Sequence, residues 1–133
     1  MSDLAGVVAI DTAMCNIDKA MKAALDPKLP GAATAYKAAF GADPAVWATV
    51  SPFKHVAKGK GIAPFLLFAS DDRPTIAAQV KPLIEKLEAA GVEATMHQGK
   101  GRAHSPLDTY MGVDGDESTE VLVQFLNRHS GPE

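Results

Sequence analysis

The chain has 133 residues, of which 47% are hydrophobic and 22% are charged. These proportions predict a folded globular protein and exclude a disordered chain. The net charge of −3 and the isoelectric point near 5.8 argue against nucleic acid, and against an anionic membrane, as the main partner. The single cysteine, Cys15, excludes an internal disulfide framework and favours a reducing, cytoplasmic compartment.

The length suits one domain over residues 1–133. Residues 1–4 have no basic start and no long apolar run follows them, which argues against a secretory signal. No stretch approaches the roughly 20 apolar residues that a membrane span requires. We therefore expect neither a membrane anchor nor a secreted product.

The first part of the chain predicts one strand followed by short helices. Residues 5–10 form an apolar run that ends at Asp11-Thr12 and predicts a buried parallel strand. Helical composition follows over residues 17–25 and 32–40. Asp43-Pro44 predicts a further helix start, because aspartate caps free amides and proline fits the first helical position.

The second part alternates strands and helices. Residues 64–69 form a fully apolar run bounded by Pro64 and by acids, which predicts a buried strand. A second strand is predicted over residues 92–97, and a last helix over residues 116–127. The helix predicted over residues 75–90 has an apolar stripe at helical spacing, formed by Ile76, Val80, Leu83, Ile84 and Leu87.

This order predicts an α/β protein of three layers, with a short parallel sheet of about three strands between flanking helices. Within the last helix we expect four apolar side chains to face inward, namely those of Val121, Leu122, Phe125 and Leu126. Pro82 is expected to kink the middle helix or to mark a second helix start.

Two polar turns follow the two later strands. Asp71-Asp72 comes directly after the first of them, and a Gly-x-x-His turn from Gly101 to His104 comes after the second. An acid and then a histidine, each after a strand, is the order in which α/β-hydrolases present those two members of a catalytic triad. No Gly-x-Ser-x-Gly occurs anywhere in the chain, so the usual nucleophile motif is missing.

The chain resembles the C-terminal half of α/β-hydrolases of the carboxylesterase, feruloyl-esterase-like and dienelactone-hydrolase-like kind. The resemblance covers nearly the whole chain, and its specificity comes from the order and spacing of short motifs. Those motifs are residues 4–11, Ser51-Pro52 with His55-Val56, residues 64–67, Ala78-Gln79 and residues 87–92. It implies a partial α/β-hydrolase fold and a parent reaction of ester hydrolysis through an acyl-enzyme.

The resemblance also implies roles for two residues. His104 matches the catalytic base, and Asp72 matches the acid better than Asp71 does, because of its distance from Gln79. A carboxylate bonded to the far ring nitrogen would fix the histidine tautomer and stabilise the imidazolium. The alternative is that the two aspartates only cap the following helix and that His104 is an ordinary loop histidine.

Cys15 follows the first strand and precedes a helix, so Cys15, Asp72 and His104 stand in the chain order of a triad. We disfavour Cys15 as a nucleophile, because Ile17 is bulky where a tight elbow needs a small residue and Cys15 lies too far beyond Ile10. His55 and His97 have no metal-ligand spacing to a second ligand, and no phosphate-binding loop is present. No metal and no cofactor is expected.

We therefore predict an α/β-hydrolase-like fragment of the carboxylester hydrolase group, inactive or very weak alone. One alternative is a half-enzyme completed by a separate N-terminal chain, and another is a non-catalytic structural or interaction module. Residues 7–10 are an apolar edge in this fold, with neither proline nor an inward charge to protect it. We therefore predict a homodimer or larger homo-oligomer that forms through that edge or through the adjacent helices.

Overall fold

The structure is a computed structural model that describes residues 4–13, 15–24 and 32–131. Residues 1–3 and Leu25, which the signal and first-helix predictions include, lie outside the described residues. The elements are β1 (Val7–Ile10), α1 (Ile17–Ala24), α2 (Ala32–Phe40), α3 (Pro44–Val50), α4 (Pro52–His55), β2 (Phe65–Ser70), α5 (Pro74–Ala89), β3 (Ala94–Gly99), α6 (His104–Thr109) and α7 (Glu117–His129).

The described residues form two compact units. One domain over residues 1–133 stays a prediction. One unit contains residues 4–13 and 56–131, and the other contains residues 15–24 and 32–55. The first unit contains a parallel sheet in the order β1-β2-β3, with β2 in the centre. The predicted α/β class, with a three-stranded parallel sheet and flanking helices, is confirmed.

Both faces of β2 are buried, as its apolar run predicts. Leu66 and Phe68 share a cluster with Leu107 of α6 and Phe125 of α7. Leu67 and Ala69 alternate with them along the strand and are 1% and 0% exposed. The opposite face of the sheet is covered by α5, which contacts β2 and β3. Helices on both faces hold the three strands in place at the centre of this unit.

The structure differs from the sequence predictions at the start of β3, at Leu126 and at α6. Strand β3 begins at Ala94, two residues later than predicted. Helix α5 is one helix of 16 residues that contains Pro82, so a second helix does not start there. Leu126, predicted to face inward, is 46% exposed, because Phe125 already occupies the position against the sheet. Helix α6 was not predicted, since six residues are too few to show a hydrophobic period.

The second unit has a small core of its own. Ile17, Met21 and Trp47 form a buried cluster, and Tyr36 and Phe40 pack against it. Asp43 caps α3 as predicted, since its Oδ1 accepts the Ala45 N–H at 2.9 Å, and Pro44 occupies the first turn. The Ser51 hydroxyl oxygen accepts the Ile17 N–H at 3.1 Å, which ties the start of α1 to the end of α3.

Strand β1 is an outer strand of the sheet, paired with β2 along one edge. Val7, Val8 and Ala9 are half-buried and Ile10 is 37% exposed. An apolar outer strand is the feature on which the predicted self-association depends. Among the described residues, no helix is long and apolar enough to cross a bilayer.

We expect Leu107→Ala to destabilise the protein by about 2–5 kcal/mol, because Leu107 is 1% exposed and links α6 to the core of the sheet. Urea unfolding followed by circular dichroism measures the change. Val123→Ala, at a 46% exposed position of α7, is the control and should cost less than about 0.5 kcal/mol. Equal losses in the two variants would contradict the assigned core.

We expect the protein to form a homodimer that buries the edge at Val7–Ile10, and Ile10→Lys to shift it towards monomer. A charge on an outer strand opposes edge-to-edge pairing. Light scattering coupled to size exclusion measures the mass, with Val113→Lys as a control at another exposed apolar site. A wild-type monomer at tens of micromolar protein would refute this mode of assembly.

Candidate functional site

Three polar side chains meet at the carboxyl edge of the sheet. Asp11 follows β1, Ser70 ends β2, and His104 begins α6 after the loop that leaves β3. Because the strands are parallel, all three residues reach the same edge. A polar cluster at this position is where open α/β sheets usually place a functional site.

The carboxylate of Asp11 is the centre of this cluster. Its side chain has no exposed surface. Oδ1 accepts the Ser70 N–H at 2.7 Å, and Oδ2 accepts the Ser70 hydroxyl at 2.9 Å. Oδ2 also lies 2.5 Å from Nδ1 of His104. Both carboxylate oxygens are therefore satisfied although the group is withdrawn from water.

The backbone at Asp11 adopts a left-handed conformation, with φ of 50°. Aspartate tolerates this region better than most residues, but the conformation still costs free energy. The Asp11 N–H donates to the Phe68 carbonyl at 2.8 Å, so the turn is fixed directly beside β2. The turn directs the carboxylate across the end of β2, towards Ser70 and His104.

The hydrogen bonds keep Asp11 ionised. Burial alone would raise the pKa of the Asp11 carboxyl, but hydrogen bonds from Ser70 and His104, together with the charge of His104, lower it below its ordinary value of 3.8. An ionised carboxylate only accepts hydrogen bonds, so Nδ1 of His104 must carry the proton in this contact. The lone pair of the neutral imidazole is then on Nε2.

His104 is held at its ring but remains accessible. It is the first residue of α6, and its side chain is 43% exposed. The Leu107 N–H donates to the Ala103 carbonyl at 2.9 Å, and Leu107 anchors the helix in the core. An imidazole bound through Nδ1 and half-exposed can present Nε2 to a ligand as a proton acceptor.

The loop that positions His104 is pinned to the end of β2. Oδ2 of Asp71 accepts the Gly101 N–H at 3.0 Å, and the Asp71 N–H donates to the Arg102 carbonyl at 2.8 Å. Gly101 has φ of 66°, a conformation that favours glycine. Gln98 adds a hydrogen bond from its amide to the Ser70 carbonyl at 2.8 Å.

Arg102 fixes the other side of the same loop. Its Nη2 donates to Oδ1 of Asp116 at 3.0 Å, and its guanidinium lies 4.4 Å from the centre of the Tyr110 ring. Asp116 caps α7 by accepting the Thr119 N–H at 2.9 Å. The loop is therefore tied to α7 as well as to β2, which limits how far His104 can move.

The contact predicted between Asp72 and His104 is not found among the described residues, because the ring contacts Asp11 instead. The chain turns outward after Ser70, and Asp72 lies exposed just before α5. The Asp71 carboxylate accepts a hydrogen bond from the Gly101 N–H instead. Asp11 carried a similar signal to Asp72, since each is an acid within two residues of the end of a strand, and only the register of the family resemblance favoured Asp72. A catalytic role for His104 stays a prediction.

The sulfur of Cys15 is a poor candidate for a nucleophile. Cys15 is 3% exposed and belongs to the second unit. Burial raises the pKa of the Cys15 thiol, so little of the reactive thiolate is present at neutral pH. Its carbonyl accepts the Phe53 N–H at 2.9 Å, a contact that serves the fold.

Neither serine near the site has the surroundings of an activated nucleophile. Ser70 has no exposed surface and donates its hydroxyl to Asp11, and Ser105 is exposed on α6. Within the described ranges, no group of three or more His, Cys, Asp or Glu side chains could hold a metal ion. His97 packs edge-on against Phe68 inside the first unit. The cluster therefore consists of an acid–histidine pair with a serine that supports the acid.

No protein-family model matches this sequence, and no curated protein is significantly similar to it. The interpretation of the site therefore depends on its geometry and chemistry.

We expect Asp11→Asn to destabilise the protein at pH 7 by about 1–3 kcal/mol, because the amide replaces a charged acceptor of buried hydrogen bonds. The folded-state pKa of Asp11 lies below the ordinary 3.8. The ionised carboxylate therefore stabilises the fold above about that pH, and this contribution is lost as pH falls through the folded-state pKa. Urea unfolding of wild type and variant from pH 7 to pH 3 measures the difference, which should shrink in acid.

The matched control is Asp72→Asn, which removes an exposed carboxylate that makes no hydrogen bond in the described part of the chain. It should change the free energy of unfolding by less than about 0.5 kcal/mol at any pH. A pH-dependent loss in Asp72→Asn and none in Asp11→Asn would show that the acids had been assigned the wrong way round.

Proposed function

We propose that the protein carries the acid–base pair of a hydrolase-type site of the carboxylester hydrolase kind, with His104 as general base and Asp11 as the acid that orients it. The observation that carries this proposal is the 2.5 Å contact between Nδ1 of His104 and the buried carboxylate of Asp11. A histidine without a functional role would not require a buried, ionised carboxylate as its hydrogen-bond partner. Ser70 keeps that partner ionised through two hydrogen bonds.

In the proposed step, Nε2 of His104 takes the proton of a hydroxyl group as the hydroxyl oxygen bonds to the acyl carbon of an ester. The carbonyl electron pair moves onto its oxygen. When the tetrahedral species collapses, the bond between the acyl carbon and the alcohol oxygen breaks, and the imidazolium returns the proton to the leaving alcohol. Asp11 stays ionised throughout and stabilises the imidazolium.

We propose that the hydroxyl group comes from water or from another polypeptide. Neither Ser70 nor Ser105 is placed to attack, and the sequence contains no Gly-x-Ser-x-Gly elbow, whose following amide would form part of an oxyanion hole. Losing these elements removes most of the rate that a complete site achieves. We therefore propose slow hydrolysis by this chain alone, and a complete site when a second chain supplies the nucleophile.

The second candidate is a non-catalytic, self-associating module, and the apolar outer strand β1 is the observation that favours it. In that case the pair of Asp11 and His104 would serve only the fold. A cytoplasmic location belongs to either proposal and is supported by the single cysteine.

Hydrolysis of 4-nitrophenyl acetate by the purified protein tests the first proposal. We expect slow release of 4-nitrophenol that depends on His104, and a loss of about tenfold in the protein-dependent rate in His104→Ala. This is less than the roughly 10²–10⁴-fold contribution of a positioned base in a complete site. Asp11→Asn should lower the rate in the same direction, because the ring loses its ionised partner.

His55→Ala, which removes an exposed histidine of the other unit, is the control and should keep the wild-type rate. Equal rates in wild type and His104→Ala would refute a base at His104 and leave the assembly module as the better account. Fast turnover that Cys15→Ala abolishes would show instead that Cys15 is a nucleophile.

A further inference from the structure

Arg73 holds a positive charge beside the pair formed by Asp11 and His104. Its Nη1 lies 3.9 Å from Oδ2 of Asp11, the same oxygen that His104 contacts at 2.5 Å. Nη1 of Arg73 and Nδ1 of His104 are therefore separated by no more than the sum of these two distances. The Arg73 side chain is 47% exposed, so a ligand at His104 can reach it.

Among the residues that the structure describes, none accepts a hydrogen bond from the Arg73 guanidinium. A separation of 3.9 Å is too long for a hydrogen bond, and Oδ2 of Asp11 is already occupied by Ser70 and His104. Asp71 and Asp72 precede Arg73 in the chain, yet neither pairs with it in the described part of the structure. A guanidinium carries five N–H donors in a planar fork, and here they are available to a ligand.

We propose that Arg73 is a specificity-determining residue that binds a carboxylate on the acyl part of the substrate. This inference rests on the proposed function, since it assigns the substrate class of the same site. A single guanidinium fork matches the two oxygens of a carboxylate. The preferred ester would then derive from a dicarboxylic acid, with one carboxyl esterified and the other ionised.

The charges near the site favour such a substrate through Arg73. The guanidinium attracts a carboxylate on the substrate both before the reaction and in the transition state. When His104 takes the proton, the new positive charge of the imidazolium is matched by the negative charge that develops on the carbonyl oxygen. The preference for an anionic ester is therefore expected in the second-order rate constant, which responds to binding of this kind.

The test compares two 4-nitrophenyl esters with the same six-carbon acyl chain. In 4-nitrophenyl hydrogen adipate the far end is a carboxylate, and in its methyl ester that negative charge is replaced by an uncharged methyl ester group. The measured quantity is the ratio of their second-order rate constants, taken at the same pH for every variant. We expect wild type to favour the anionic ester and Arg73→Gln to lower the ratio about fivefold, the size of an exposed ion pair. Arg73→Lys should keep part of the preference, and added salt should weaken it.

Arg128→Gln is the matched control, because it removes an exposed arginine that pairs with Glu93 at the opposite end of the sheet. Its ratio should equal that of wild type, and thermal unfolding of each variant confirms that it is folded. A wild-type ratio at or below one, or an unchanged ratio in Arg73→Gln, overturns the inference. If His104→Ala hydrolyses the methyl ester as fast as wild type does, the proposed function itself is refuted.

A binding measurement keeps the two failures apart. Methyl hydrogen adipate, an anionic ester whose leaving group is much poorer than 4-nitrophenol, is titrated while the His104 ring signal is followed by nuclear magnetic resonance. We expect a saturable shift in wild type and Arg128→Gln, and a much weaker one in Arg73→Gln. The same shift in wild type and in Arg73→Gln overturns the assignment of the carboxylate to Arg73, whatever the hydrolysis rates are.

Discussion

Asp11 carries a buried negative charge, and the donors that satisfy it come from the ends of two other chain segments. The Ser70 amide and hydroxyl belong to β2, and the His104 ring belongs to the loop after β3. If any of these groups moved away, a charge would be left in the interior without compensation, which costs far more than an ordinary hydrogen bond. The carboxyl edge of the sheet is therefore fixed by electrostatics as well as by packing.

The same constraint explains how the surrounding residues are used. Asp71 and Arg102 do not meet the histidine, but they hold the loop that carries it against β2 and α7. Leu107 holds the helix that follows. The ring is thus rigid on its Nδ1 side and open on its Nε2 side. That combination distinguishes His104 from a fully buried histidine.

The sequence predicted the parts of this arrangement that depend on local pattern. The apolar runs located β1 and β2, and the helical stripe located α5, because burial of a strand or of one helix face leaves a periodic trace. No periodic pattern in the sequence identifies the hydrogen-bond partner of His104. Asp11 and Asp72 both follow strands, and the choice between them depends on the left-handed turn at Asp11 and the outward turn after Ser70. The six residues of α6 are too short for periodicity.

The contact between His104 and Asp11 joins residues that are 93 positions apart in the chain. Closing a loop of that length has an entropic cost that local structure cannot offset, so the contact forms only when the strands between have assembled. The basic nitrogen is therefore oriented only in the fully folded unit. A partial opening of the sheet edge would therefore release the ring from Asp11 before the rest of the unit unfolds.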